Sequence, residues 1–349
     1  MANGLTVAVV GATGAVGQQM LKLLEINDTL PIKELKVLAS KRSAGKDVLF
    51  RNKTYTVEEA KPEAFEGVDL ALFSAGGAVS KDLAPEAAKR GAIVVDNTSA
   101  FRMDPNVPLV VPEVNEDALL NHNGIIANPN CSTIQMVAAL QPLRKKYGLN
   151  RIIVSTYQAV SGAGMTAIEE MKRESAAALN GEEVNPSFLP VKSDEKHYQI
   201  AFNAIPQIDK FQDNRYTFEE VKMMNETRKI MGDDKLKVAA TCVRLPIVVG
   251  HAESVYIELG QENIEVEELL NVLSEAPSVI VKDDPSTQTY PMPIDSVGKN
   301  DVFVGRVRRD LDVPNGYHLW IVSDNLLKGA AWNSVQIAES LLKLGLFKM

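Results

Sequence analysis

Cysteine is almost missing from this chain: there are two in 349 residues. No C-x-x-C pair occurs, so no disulfide framework forms and no metal is expected. A reducing cytoplasm is the expected compartment. Long apolar runs are missing too, and without eighteen consecutive apolar residues no membrane span is expected. The start of the chain, Met1 to Leu5, runs straight into a strand and lacks the basic, apolar and small-residue order of a secretory signal. Positive charge is in deficit. A formal net charge of −8 and a sequence pI of about 5.3 repel phosphate backbones, so nucleic acid is not an expected partner. The densest basic cluster, Arg144-Lys145-Lys146, falls late in a predicted helix, where cations suit the helix dipole.

What is present reads as two domains, in keeping with the length. The first third alternates short apolar runs (5–10, 35–39, 70–73, 93–95) with helical patterns (15–24, 78–90), and a looser alternation at 48–58 suggests a hairpin. Strand–helix–strand repetition predicts a parallel sheet covered on both faces, an α/β domain. From about Arg151 the strands lengthen (151–158, 236–244, 254–259, 302–308, 318–323) and alternate in part, which predicts an antiparallel sheet with one packed face. Helices at 163–179, 218–231 and 266–274 are expected to cover it, an α+β arrangement. Residues 180–213, rich in Pro, Asn and Asp, read as an irregular excursion or interface arm, and 332–344 as an amphipathic closing helix.

Asn128-Pro129-Asn130-Cys131-Ser132-Thr133 places one cysteine where a helix begins, because Ile134, Met136, Val137, Leu140 and Leu143 follow at helical spacing. Free N–H groups at a helix start favour negative charge and draw a thiol's pKa down from roughly 8.5. Such a thiolate can attack a carbonyl carbon; the rival reading is a buried, inert thiol.

Val7-Ala8-Val9-Val10 leads into Gly11-Ala12-Thr13-Gly14-Ala15-Val16-Gly17 and a helix. Glycines let the backbone come close to a pyrophosphate resting on the helix N-terminus. The spacing is Gly-x-x-Gly-x-x-Gly, with Thr13 where a second glycine usually falls. At the end of the second strand, Ser40-Lys41-Arg42-Ser43 replaces the acid that grips a ribose hydroxyl, so NADP is expected over NAD. Short-chain reductases share the glycine spacing, but none of the eight tyrosines is followed by lysine in their Tyr-x-x-x-Lys order.

A thiolate and a hydride carrier together suit aldehyde oxidation or its reverse, which needs a proton-transfer group and substrate clamps. Of four histidines, His251 directly follows an apolar strand end and can project into a cleft; a structural histidine is the alternative. Gln158 ends a strand before a glycine turn and can face a ligand. Arg244, near the end of a buried strand, needs a partner, either a substrate carboxylate or a structural acid. Cys242, mid-strand, reads as core.

These motifs, with the Ser-Ala-Phe-Arg run ending at Arg102 and those at 219–222 and 324–339, resemble aspartate-semialdehyde dehydrogenases in order and over essentially the whole chain. The resemblance implies a Rossmann-like NADP domain, 1–130, completed by a C-terminal helix, 330–349. It also implies a catalytic and dimerisation domain, 131–329, like that of glyceraldehyde-3-phosphate dehydrogenase. Cys131 would then be the nucleophile, Gln158 would orient the intermediate and His251 would be the acid/base. Arg244 would hold the substrate α-carboxylate, Glu220 (or its neighbour Glu219) the amino group, and Arg102, Asn130 and Lys222 phosphate. The cofactor set would be Gly11, Thr13, Gly14, Ala15, Val16, Gly17, Ser40, Arg42, Ser43, Ser161, Gly162 and Asn325. The implied reaction is reversible NADPH-dependent conversion of β-aspartyl phosphate to aspartate semialdehyde and phosphate, by a homodimer serving lysine, methionine, threonine and diaminopimelate biosynthesis. Many bacterial members carry glycines before the Asn-Cys pair, where this chain has Asn128-Pro129. Two rival functions are an N-acetyl-γ-glutamyl-phosphate reductase, whose acetylated substrate needs no carboxylate for an amino group, and a noncatalytic NADP-binding redox sensor with Cys131 as its switch.

Overall fold

The computed structural model describes residues 4–347; Met1–Asn3, and the last two residues of the expected closing segment, lie outside the described residues. The chain divides into two units, Met1–Asn130 with Ala330–Met349, and Cys131–Gly329.

Unit 1 holds strands β1 (Leu5–Val10), β2 (Ile32–Ala39), the hairpin β3 (Asp47–Phe50) and β4 (Lys53–Thr56), then β5 (Glu58–Glu59), β6 (Leu70–Phe73), β7 (Ile93–Asp96) and β8 (Ile125–Ala127). Helices α1 (Ala15–Ile26), α2 (Gly77–Lys89) and the short α3 (Pro112–Asn115) connect them. Six strands form one parallel sheet in the order β5-β2-β1-β6-β7-β8. β1 is buried along its whole length, as a central parallel strand must be. The order reverses at β1, so the loop after it opens where α/β sheets bind ligands. Helix Trp332–Lys343 docks back onto this unit: Asn333 donates to Asn128 and to the Val110 carbonyl, Asn27 donates to Glu339, and Lys343 pairs with Glu116.

Unit 2 begins with α4 (Cys131–Tyr147), buried on every side from Ser132 to Gln141, as a central helix is. It continues through β9 (Leu149–Gln158), α5 (Met165–Leu179), α6 (Phe218–Met231), β10 (Lys237–Arg244), β11 (His251–Leu259), α7 (Val266–Ser274), β12 (Val279–Val281), α8 (Pro293–Ser296), β13 (Val302–Arg309) and β14 (Gly316–Ser323), and reaches a single π-helical turn, Leu327–Ala331. The sheet order is β10-β9-β11-β14-β13-β12.

Two expectations need correction. The second sheet is mixed: β9–β10 and β12–β13 are parallel, the other pairs antiparallel. The chain between β9 and β10 passes through two helices and the irregular segment, long enough for the crossover a parallel pair requires. Nor does α5 cover the sheet. That work falls to α4, α6 and α7, whereas α5 packs Ala167, Ile168 and Met171 against Leu189, Ile200 and Ile205 of the excursion. Two buried carboxylates on α5 hold that excursion. Glu170 accepts from the backbone N–H groups of Ser187 and Phe188, and Glu174 from those of Ile200 and Ala201.

One inward residue of β11 is an acid. Glu253 is fully buried, and burial followed by the negative charge of Glu219 holds its pKa well above the usual carboxylate range, against the opposing Gln135 amide. A carboxyl with a raised folded-state pKa adds stability below its unfolded value of 4.5 and loses it as pH rises towards the folded value. Glu253→Gln should therefore gain on the wild type by about 1.4 kcal/mol per pH unit as pH is raised from about 5, until the folded-state pKa is passed. Thermal melts of both proteins between about pH 5 and pH 8 measure this. Parallel curves would mean that Glu253 is ionised in the native protein.

Candidate active site

Three strand ends bring the polar side chains of unit 2 together. β9 and β10 run side by side with Gln158 opposite Arg244 at their ends, and antiparallel β11 starts beside them at His251. Gly250 makes that start possible: its φ is +100°, and a Cβ there would lie 2.6 Å from the Pro293 carbonyl oxygen. Asn325 accepts from the Gly250 N–H (2.9 Å) and donates to Ser161 (3.0 Å), tying the strand ends to each other.

Arg244 is 5% exposed, a cation in the interior. Burial lowers its pKa, while Glu219 and a Cys131 thiolate pull the other way. Its Nη1 donates to the Ala159 carbonyl at 2.7 Å. Cys131 is the first residue of α4, where the positive end of the helix dipole adds to the attraction for a thiolate. The other cysteine behaves oppositely. Cys242 is buried beside Glu219 and Glu220, and its thiol pKa is pushed far up, chiefly by burial.

His251 is buried and accepts a bond at Nδ1 from the Ala159 N–H (3.1 Å), so the neutral ring carries its proton on Nε2. Burial, then the Arg244 charge, holds its pKa well below the ordinary imidazole value. In this setting Nε2 is a donor. Ala159 thus grips both catalytic candidates, Arg244 through its carbonyl and His251 through its N–H.

The Glu219-Glu220 doublet divides its work. Glu220, expected to bind the amino group, is committed to the fold: its Oε2 accepts from the Thr217 N–H in a capping box, and its Oε1 accepts from the Cys242 N–H. Glu219 instead accepts from the Gln158 amide (3.0 Å) and pairs with Lys222 (3.4 Å), which also pairs with Asp209 (2.8 Å). The Thr217-x-x-Glu220 spacing is a capping-box signature visible in the sequence, and it would have singled out Glu219. Gly162, expected with the cofactor set, lies against the catalytic set: a Cβ on it would fall 2.9 Å from Arg244 Nη1 and 3.4 Å from His251 Nε2. Of the other histidines, His122 accepts from the Gly124 N–H, His318 faces Asp310, and His197 lies in the excursion.

In unit 1, a cavity of 450 Å³ opens beside the first loop, walled by Gly11, Thr13 and Gly14 and by Ser40, Arg42 and Ser43 beyond β2. Asp82 also lines it, from α2 rather than from the end of β2. Gly11 has φ +84°, with its missing Cβ 2.7 Å from the Ser74 carbonyl oxygen. Gly14 caps α1 with no side chain, leaving the N–H groups at Ala15, Val16 and Gly17 open to an anion. A dinucleotide phosphate fits this loop, and a guanidinium with two hydroxyls fits a 2′-phosphate. Arg102 is nearly buried, its Nε and Nη2 donating to the carbonyls of Asn128 and Asn97. Asn128 in turn donates to Asn97 and accepts from Asn333, so this asparagine, where glycine was noted as more usual, pins the chain ahead of Asn130.

Residues 6–122 match the family described as semialdehyde dehydrogenase, NAD binding domain, and residues 140–328 its dimerisation domain. The aspartate-semialdehyde dehydrogenase of Bacillus subtilis (strain 168) is 70% identical over 346 residues, 99% of this chain and 100% of that one. The chain belongs to the aspartate-semialdehyde dehydrogenase family. It is therefore an oxidoreductase of amino-acid biosynthesis, and full-length identity at this level decides against both rival functions. A solved aspartate semialdehyde dehydrogenase II from Vibrio cholerae, complexed with ASA, superposes with a TM-score of 0.92 at 45% identity, covering 98% of this chain and 99% of that one. The Candida albicans enzyme with NADP gives 0.75 at 27% identity, covering 97% and 99%. Among the described residues no helix is long and apolar enough to cross a membrane.

The two glutamates should separate in measurement. Glu220→Ala should cost about 1–2 kcal/mol of stability through the lost capping box. Glu219→Gln removes a counter-charge from buried Arg244 and so also costs stability. It should in addition reduce kcat/KM for aspartate semialdehyde by ten-fold or more, about the worth of one charge-assisted bond, whereas folded Glu220→Ala should keep kcat/KM within a few-fold of wild type. The division of roles is wrong if folded Glu220→Ala loses as much kcat/KM as Glu219→Gln.

Proposed function

We propose that this chain interconverts β-aspartyl phosphate and aspartate semialdehyde, with NADP as cofactor and a thioester on Cys131. The observation that carries the reading is the charge pattern of unit 2. A buried guanidinium, a buried carboxylate and a thiol at a helix start match the carboxylate, ammonium and acyl carbon of one small amino acid.

Arg244 presents a planar guanidinium to the α-carboxylate, and Glu219 accepts from the α-ammonium, with Gln158 orienting Glu219 and the acyl group. Cys131 Sγ attacks the acyl carbon, the C–O bond to phosphate breaks, and phosphate departs; in unit 2, Lys222 is the group proposed to bind it. The Gly11–Gly17 loop with Ser40, Arg42 and Ser43 would hold NADPH in unit 1, and the cofactor would supply a hydride to reduce the thioester. His251 Nε2–H donates to the oxyanion formed at the former carbonyl, and collapse of the C–S bond returns the thiolate and frees the aldehyde.

The chain is proposed to act as a homodimer, a reading that the match to a dimerisation domain supports. The outer face of the second sheet, away from α4, α6 and α7, carries part-exposed Ile153, Tyr157, Tyr256 and Trp320 in neighbouring rows. A cytoplasmic setting suits a free reactive thiol.

Phosphate-dependent reduction of NADP by aspartate semialdehyde tests the reaction. Cys131→Ser should fall below about a hundredth of wild-type turnover while still binding NADP, because an alcohol is a poor nucleophile at neutral pH. Retained turnover would end the thioester reading. Separately, Arg42→Ala should raise KM for NADP ten-fold or so while leaving that for NAD unchanged, the loss of about one phosphate contact. Equal affinity of the wild type for both cofactors would show that Ser40, Arg42 and Ser43 do not read the 2′-phosphate.

A further inference from the structure

We infer that Gly329 is a positioning residue for Cys131: it acts through the space that its missing side chain leaves, and so sets where the thiol stands. The inference rests on the proposed role of Cys131 as nucleophile.

Gly329 is buried in the π-helical turn Leu327–Ala331. Its φ is not in the positive region, so the backbone there does not require glycine. Space does. A Cβ built on Gly329 would lie 2.7 Å from the Cys131 Cβ and 3.2 Å from its Cα, and its three nearest atoms all belong to Cys131. Real Cβ atoms do not approach so closely, and one side must move.

Neither side moves easily. Cys131 opens a helix that is buried on every side from Ser132 to Gln141. The turn is held by Asp324, whose Oδ1 accepts from the N–H groups of Leu326 (2.9 Å) and Leu327 (3.1 Å) and whose Oδ2 accepts from Gly298 (2.9 Å); the Gly329 N–H bonds the Asp324 carbonyl at 3.2 Å. Lys328, beside Gly329, is fully buried. A π turn carries one residue more than an α turn and often marks a functional site. Here the widened turn lays bare backbone against the carbon that bears the thiol.

Gly329→Ala should therefore shift Cys131 and lower kcat by ten- to a hundred-fold, the cost of displacing a reacting atom by about an ångström. The dissociation constant for NADP should stay within about two-fold, since the glycine loop and Arg42 are untouched. Alkylation of Cys131 by iodoacetamide, followed against pH, should change in rate and midpoint. A purely structural role would lower the melting temperature but leave the alkylation profile of the folded protein as it was, and that result overturns the inference. So does wild-type turnover in the variant.

A second measurement does not depend on activity. In a Cys131→Gly background the opposing Cβ is gone, so Gly329→Ala should lose most of its effect on melting temperature there. Recovery of folding in the double variant supports the contact even if the single variant folds poorly. An equal loss in both backgrounds overturns it. Normal turnover by Cys131→Ser would instead remove the nucleophile reading, while the melting cycle would still report on the contact.

Discussion

A guanidinium in the protein interior is the constraint around which unit 2 is organised. Arg244 cannot shed its proton, and an isolated buried charge is costly, so the fold must surround it with acceptors and opposite charge. The Ala159 carbonyl, the Glu219 carboxylate and a thiolate at Cys131 meet that demand. Burial first, and the same charge second, keep His251 neutral, which leaves Nε2–H as a donor. Charge balance at one residue thus sets the working state of three others. A carboxylate arriving beside Arg244 would enter a place already built to receive negative charge.

Much of the fold is legible in the residues because its signals are local. Apolar runs of four to six residues between helical patterns need no partner to be recognised, and the glycine loop is read from spacing alone. The mixed pairing of the second sheet is not legible, because β9 and β10 alternate in the same way whether they run parallel or antiparallel; only the path of the chain between them decides. The role of α5 is hidden for a related reason. Its apolar stripe would suit a sheet as well as the irregular segment it covers.

At the candidate site, residue type and position go some way. Gln158, Arg244 and His251 stand at strand ends, and Cys131 at a helix start, and these placements follow from local pattern. Which carboxylate of a Glu-Glu pair faces the site does not, since neighbouring residues on a helix differ by about a hundred degrees in direction. The capping box resolves it by claiming Glu220. The crowding of Gly329 against Cys131 was invisible, because nothing near residue 329 in the chain points to residue 131.

The irregular segment between α5 and α6 is held by carboxylates that grip main-chain N–H groups. Every residue except proline offers that group, so Glu170 and Glu174 anchor the segment mainly through its main chain, with the Ser187 hydroxyl the one side chain of the segment that also donates to Glu170. Its exposed residues can therefore vary while its path stays fixed, provided that Leu189, Ile200 and Ile205 keep their packing on α5. Two acids on one helix let a loop change its chemistry without changing its shape.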